Sequence, residues 1–322
     1  MSDMENISKT PRTVIMCPPA FYEIPAIENS SMDPDDQPEP ARAWKQWVAI
    51  RNLYTKLGLT VYDMEPEPRF WDMIFTANGA WGASRARLGD AEYVLSNYRQ
   101  PIRRGEKEFF KKILKSLGKN VFELPDNVFF EGQGDAIALN GYLLLGHGSR
   151  SSPEVGEYLR RMLLPTRPVV YLKLAMRDKF YHLDTCLMSL RGTEKEGVIY
   201  YPAAFNDEGN EKIQNLYKVE KLKVHSSLAD EFVCNSAFVD DTFLLNVSFG
   251  NYSEESFELS ALGRPIEDKN TDVRFKELVR YQPEYFSVIY FVEKLGYKVI
   301  PVYTSEFKKS GAGVRCLTLF VD

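Results

Sequence analysis

The sequence predicts an α/β fold assembled from five similar units, and three observations carry that reading. Five short segments rich in β-branched and aromatic residues recur: LTVYDMEP (59–66), NVFELP (120–125), VVYLKL (169–174), KLKVH (221–225) and YKVIPVY (297–303). Such composition favours strands. Most of them follow a helix-like stretch. Each is then followed by a polar element that leads into a further apolar run: WDMIFTANG, FFEGQGDAIAL, FYHLDTCLMSL, FVCNSAFV and GAGVRCLTLFV. With Asp72, Glu131, His182, Cys234 and Cys316 as markers, the first steps are roughly 50 to 60 residues and the last is longer. Five units around an axis would bring these polar elements together. An open sheet with polar turns at its strand ends fits the same pattern.

Along the chain, residues 1–10 are polar and are expected to form a loose tail. Residues 41–57 place Trp44, Trp47, Ile50 and Leu57 near one helical face. Residues 105–117 do the same with Phe109, Phe110, Ile113, Leu114 and Leu117. Gly58 and Gly118 stand where a glycine ends a helix. Further helices are expected at 154–163 and 284–295. Residues 250–283 are charged and weakly periodic, which suits an insertion that accounts for the longer last step.

Charge and cysteine usage narrow the function. Lys and Arg total 40 against 45 Asp and Glu, a net charge of −5, so the basic excess of a nucleic-acid binder is absent. No run approaches the ~18 apolar residues of a membrane span. The N-terminal stretch lacks the apolar core of a signal peptide. The four cysteines, at 17, 186, 234 and 316, are scattered and form no C-x-x-C pair. A reducing, cytoplasmic setting is the expectation. No Walker motif and no GxGxxG in a strand–helix setting calls for a nucleotide, and three scattered histidines make a poor metal cage, so no cofactor and no metal are expected.

A few residues could carry chemistry. Cys316 follows SGAG (310–313), whose small residues permit a tight turn and close approach of a ligand. A buried inert thiol is the alternative. A cysteine nucleophile usually needs a proton partner. His182 lies in YHLDT with Asp184 two residues on; in a strand the two would face one cavity. Glu131 and Asp135 in FFEGQGD are suited to a planar cation, or else to stabilising a turn. Asp72 and Asn78 flank MIFTA and add a carboxylate and an amide. Arg103 and Arg150 sit in loop-like settings and could hold a substrate carboxylate.

Together FTAN (75–78), FEGQGD (130–135), YHLDT (181–185) and FKKSGAGVRCLTL (307–319) resemble the guanidino-group-modifying enzymes of the pentein superfamily, in the family order and across nearly the whole chain. The resemblance implies a five-bladed α/β propeller of repeated ββαβ units, a single catalytic domain over 11–322. Within the superfamily the chain is similar to the arginine dihydrolase type, which carries a stretch like CPPAFYEIPAIENSSM (17–32) and an asparagine at the position of Asn78.

By resemblance Cys316 is the nucleophile and His182 the general acid/base, with Glu131 and Asp184 binding the guanidinium. Asn29 and Asn78 would contact substrate or water, Arg103 the α-carboxylate, and Arg150 is a second family arginine. The implied partner is a small guanidino compound, arginine or a methylated arginine, with ornithine, ammonia and carbon dioxide as products. The rival readings are a deiminase or dimethylargininase that stops at citrulline, an amidinotransferase, and a silent binding protein. A homo-oligomer is compatible with all of them. Three departures stand out: Ala312 replaces a usual glycine, ENSSM (28–32) replaces the usual asparagine–proline–tryptophan, and the 250–283 insertion has no counterpart in the family pattern.

Overall fold

The structure is a computed structural model that describes residues 12–82, 92–139, 141–162, 168–191, 195–248, 278, 280 and 282–321. It contains five three-stranded sheets built on one pattern. A first strand pairs antiparallel with a middle strand, a helix follows, and a third strand returns parallel to the middle one.

In chain order these are β3 (Ala80–Gly82), β4 (Tyr93–Leu95) and β5 (Val121–Phe122), then β6 (Ala136–Leu139), β7 (Tyr142–His147) and β8 (Val169–Lys173). Next come β9 (Leu187–Arg191), β10 (Glu196–Tyr200) and β11 (Val219–Lys223), then β12 (Ala237–Val239), β13 (Thr242–Val247) and β14 (Lys298–Tyr303). The remaining sheet joins the two ends of the chain. β15 (Leu319–Val321) pairs antiparallel with β1 (Thr13–Met16), and β1 runs parallel to β2 (Thr60–Asp63).

The five strands read from sequence are the third strands of the five sheets: β2, β5, β8, β11 and β14. The helices Pro40–Lys56, Glu106–Ser116 and Tyr285–Lys294 precede three of them and end alike. Each runs into a leucine and then a glycine with φ of +84°, +73° and +95° at Gly58, Gly118 and Gly296. That left-handed turn costs a glycine little. The helix expected near 154–163 spans Val155–Met162.

Two readings need correction. Trp44 is 40% exposed, and the first helix instead buries Ala43, Trp47, Ile50, Leu53 and Tyr54. The helix Asp207–Gln214 has no counterpart in the sequence reading. It buries only Gly209 and Ile213, so it has no apolar stripe to detect, and Asn206 caps its start by accepting from Gly209 N. The expected tail 1–10 and most of the expected insertion, 250–277, lie outside the described residues. Leu278, inside the expected insertion 250–283, is fully buried in the core.

The five polar elements are the turns that lead into the first strands. The turns Thr76–Gly79, Gly132–Asp135, Leu183–Thr185 and Val233–Asn235 contact one another in that order. Asn235 then bonds Cys316, and Ala77 N donates to Cys316 O at 3.1 Å, which closes the ring. The radial arrangement, not the open sheet, is the one realised.

Candidate active site

Cys316 is held where the last turn enters β15. Asn235 grips that turn from the neighbouring unit: its Oδ1 accepts from Gly313 N at 2.8 Å and Cys316 N at 3.0 Å. Its Nδ2 donates to Cys316 Sγ at 3.0 Å and to Asp184 O at 3.1 Å. Asp184 Oδ2 lies 3.5 Å from the sulfur and accepts from the thiol. The methyl group of Ala312 is buried in an apolar cluster with Phe307 and Val314, so it is accommodated by the core. Asn235 escapes the sequence reading, which takes the adjacent Cys234 as a marker. Cys234 is buried among apolar residues, and only the spacing of NS before an apolar run hints at its neighbour.

His182 sits at the start of the turn Leu183–Thr185, in extended conformation at φ −122°, ψ 156°. The two-residue strand periodicity that paired it with Asp184 therefore does not apply. The tight turn sends the two side chains to different partners. His182 Nε2 lies 2.7 Å from Glu131 Oε2, and its Nδ1 lies 3.4 Å from Asn78 Nδ2. His182, Glu131, Asp184, Asn78, Asn235 and Cys316 are all buried.

Burial dominates the electrostatics. It pushes the Cys316 thiol well above its ordinary range; the charge of Asp184 adds to this, and the Asn235 bond opposes it. The Asp184 carboxyl is also raised by burial, against the pull of His182 and Arg315. For Glu131 burial works upward too, but Arg150, the bond to His182 and Arg103 outweigh it and hold the acid at about 2. Glu131 is therefore ionised at neutral pH. Burial pushes Asp135 up to about 6, although Ser151 Oγ donates to it at 2.6 Å and Leu183 N at 3.0 Å. Asp135 thus ties two turns together.

A second group of charges lies beside this centre. Burial pushes Asp72 up to about 6, and its Oδ1 is buried with no hydrogen-bond partner. Arg150 donates through Nη2 to Glu28 O at 3.3 Å, lies 3.8 Å from Glu28 Oε2, and rests over the Tyr181 ring at 5.1 Å. Glu28 Oε2 is another buried oxygen without a hydrogen-bond partner, as is Asp184 Oδ1. Arg103 is engaged by Glu106 at 2.8 Å through both carboxylate oxygens. Asn29 ties the segment around Glu28 to the cysteine turn, donating to Ser310 O at 3.2 Å while its Oδ1 accepts from Ser31 N. Among the described residues, no three His, Cys, Asp or Glu side chains gather as a metal cage.

A ring of five α/β units with a cysteine, a histidine–glutamate pair and a second acid at its centre defines the guanidino-group-modifying class of pentein fold. The comparisons agree. No family model matches the chain. It is 30% identical over 313 residues to the bifunctional arginine dihydrolase/ornithine cyclodeaminase ArgZ of Synechocystis sp., covering 96% of this chain and 37% of that protein. The chain thus spans little more than a third of that relative. It is 28% identical to the dimethylarginine dimethylaminohydrolase of Mycobacterium tuberculosis, over 97% of this chain and 87% of that one.

Among solved structures, it resembles the N-terminal domain of ArgZ, an arginine dihydrolase whose cysteine-to-serine variant was solved with substrate bound. The TM-score is 0.73 at 27% identity, with 95% of this chain and 97% of that chain covered. The chain belongs to the guanidino-modifying pentein superfamily.

Proposed function

We propose that the protein hydrolyses L-arginine to ornithine, carbon dioxide and two ammonia through covalent intermediates on Cys316. The observation that carries this is the distribution of buried carboxylate oxygens that accept no hydrogen bond. Asp184 Oδ1 lies on the residue that reaches Cys316, while Asp72 Oδ1 and Glu28 Oε2 lie on residues grouped with Arg150. A buried carboxylate oxygen that accepts no hydrogen bond is costly, and a cationic ligand offsets that cost. Arginine supplies a guanidinium for the first site and an ammonium and a carboxylate for the second. The likeness to ArgZ supports the same substrate.

In this mechanism the guanidinium lies between Asp184 and Glu131 with its central carbon against Cys316 Sγ. A buried thiol resists ionisation, and a cation beside it lowers that resistance. The thiol gives its proton to His182, the thiolate attacks the carbon, a C–S bond forms, and a terminal C–N bond breaks. His182, backed by Glu131, protonates the departing ammonia. The histidine then takes a proton from water, which cleaves the amidino-enzyme to citrulline. A second attack on the neutral ureido carbon expels a second ammonia and leaves a carbamoyl thioester. Water converts this to a carbamate, which loses carbon dioxide to give ornithine.

Asn78 supports the second round. An aspartate there would favour the charged guanidinium over the neutral ureido group, whereas an amide discriminates less. A reducing, cytoplasmic setting suits a free nucleophilic thiol.

The test is incubation with L-arginine and quantification of ornithine, citrulline and ammonia, with Cys316→Ala as control. Ornithine with two ammonia per arginine, lost in the variant, supports the reading. Citrulline with one ammonia assigns the protein to the deiminase chemistry instead. Turnover only with an added amine acceptor would assign it to amidino transfer, and no turnover of any guanidine would refute the enzyme reading.

A further inference from the structure

The guanidinium of Arg103 is engaged inside the protein. Its Nε donates to Glu106 Oε1 and its Nη2 to Glu106 Oε2, both at 2.8 Å. Nη2 also donates to Asp72 O at 3.1 Å, and Nη1 to Asn78 Oδ1 at 3.0 Å. The ring of Tyr98 covers its face at 4.7 Å. The two side chains of the ion pair are 5% and 0% exposed.

These bonds decide which way the Asn78 amide points. A guanidinium only donates, so the atom that faces it must be the amide oxygen. The amide Nδ2 is then turned toward His182 Nδ1, 3.4 Å away. Nδ2 also only donates, so Nδ1 must present its lone pair. The ring proton of neutral His182 accordingly sits on Nε2, 2.7 Å from Glu131 Oε2. Gly134 makes room for this contact: a Cβ there would stand 2.5 Å from Asn78 Nδ2 and 3.5 Å from His182 Nδ1.

We infer that Glu106 and Arg103 are positioning residues that act through the Asn78 amide to hold His182 in the tautomer protonated on Nε2. The inference rests on the reading of His182 as the acid/base, and it gives Arg103 a different task from the α-carboxylate contact implied by resemblance. The chain Glu106–Arg103–Asn78–His182–Glu131 keeps the transferable proton on the Glu131 side of the ring. An aspartate at position 78 would instead draw a proton onto Nδ1.

The tautomer can be read directly. The chain has only three histidines, so a 15N-histidine spectrum can be assigned with His182→Ala. With its ring neutral, His182 of the substrate-free protein is expected to show a protonated Nε2 and a bare Nδ1. Arg103→Lys keeps the charge but loses the fork. It is expected to give exchange between tautomers and a kcat lowered roughly tenfold or more, with KM for arginine changed less than about threefold. Gly134→Ala displaces Asn78 with Arg103 intact and is expected to disturb the tautomer in the same way, so the test survives if the lysine variant does not fold.

A neutral His182 that carries its proton on Nδ1 in the native protein, or an undisturbed tautomer in the folded variants, overturns the inference. A KM raised roughly a hundredfold with kcat retained would return Arg103 to the substrate carboxylate. Because the spectra need no substrate, this result is independent of whether arginine is the substrate.

Discussion

Asn235 holds both the backbone and the sulfur of Cys316: its Oδ1 accepts from Cys316 N at 3.0 Å, and its Nδ2 donates to Sγ at the same distance. One amide thus fixes the turn and opposes the rise in the thiol's pKa. Asn235→Ala is expected to lower kcat/KM by roughly one to two orders of magnitude. It is also expected to shift the pH dependence of Cys316 alkylation upward, because a bond that favours the thiolate is lost. An alkylation profile unchanged in position would show that the bond is structural only.

Asp184 acts on the sulfur through its charge. In the free protein a neutral alkylating agent such as chloroacetamide is expected to react slowly at pH 7. The cationic chloroacetamidine is expected to react roughly tenfold faster or more, because it brings its own positive charge to the site. Asp184→Asn should move the two reagents in opposite directions, the neutral one faster and the cationic one slower. If both slowed together, Asp184 would not be acting through its charge on the thiol.

Arg150 and Glu28 should separate substrates by their far end. Arg150→Ala is expected to raise KM for L-arginine roughly a hundredfold, the loss of a charge-assisted carboxylate contact. Agmatine has no carboxylate, and its KM should change far less. Equal effects on the two substrates would place the substrate carboxylate elsewhere.

Asp135 gives a pH signature in stability. Its carboxyl is raised from 3.8 to about 6 by burial, so the folded state holds the proton more tightly than the unfolded chain. That stabilising contribution is present below the unfolded value and lost as pH rises through about 6. The amide of an Asp135→Asn variant cannot titrate. Relative to that variant, the native protein is expected to lose up to about 3 kcal/mol between pH 4 and pH 7. Urea unfolding of both proteins across that range checks this, and parallel curves would contradict it.

The local rhythm of the chain is legible without the fold. Strands β2, β5, β8, β11 and β14 announce themselves through β-branched and aromatic residues, and three helices through their apolar faces and Leu–Gly ends. The helix Asp207–Gln214 is not legible, because one cap and the burial of Gly209 and Ile213 support it rather than an apolar stripe. Cys316, His182 and Glu131 stand out because glycines and polar groups interrupt otherwise apolar runs there. A tight turn, not strand periodicity, brings His182 and Asp184 to the centre.

The unit, its five-fold repetition and the chemical types offered at each turn can be read along the chain, because they depend on residues close together in it. The partners were settled by folding. Glu131 reaches His182 across 51 positions, Asn235 reaches Cys316 across 81, and β15 reaches β1 from the opposite end of the chain. Folding also commits Arg103 to Glu106 and Asn78, while Asp72 Oδ1 and Glu28 Oε2 are left accepting no hydrogen bond. Hydrogen-bond directions and burial arise from packing between units, and no periodicity within a unit encodes them.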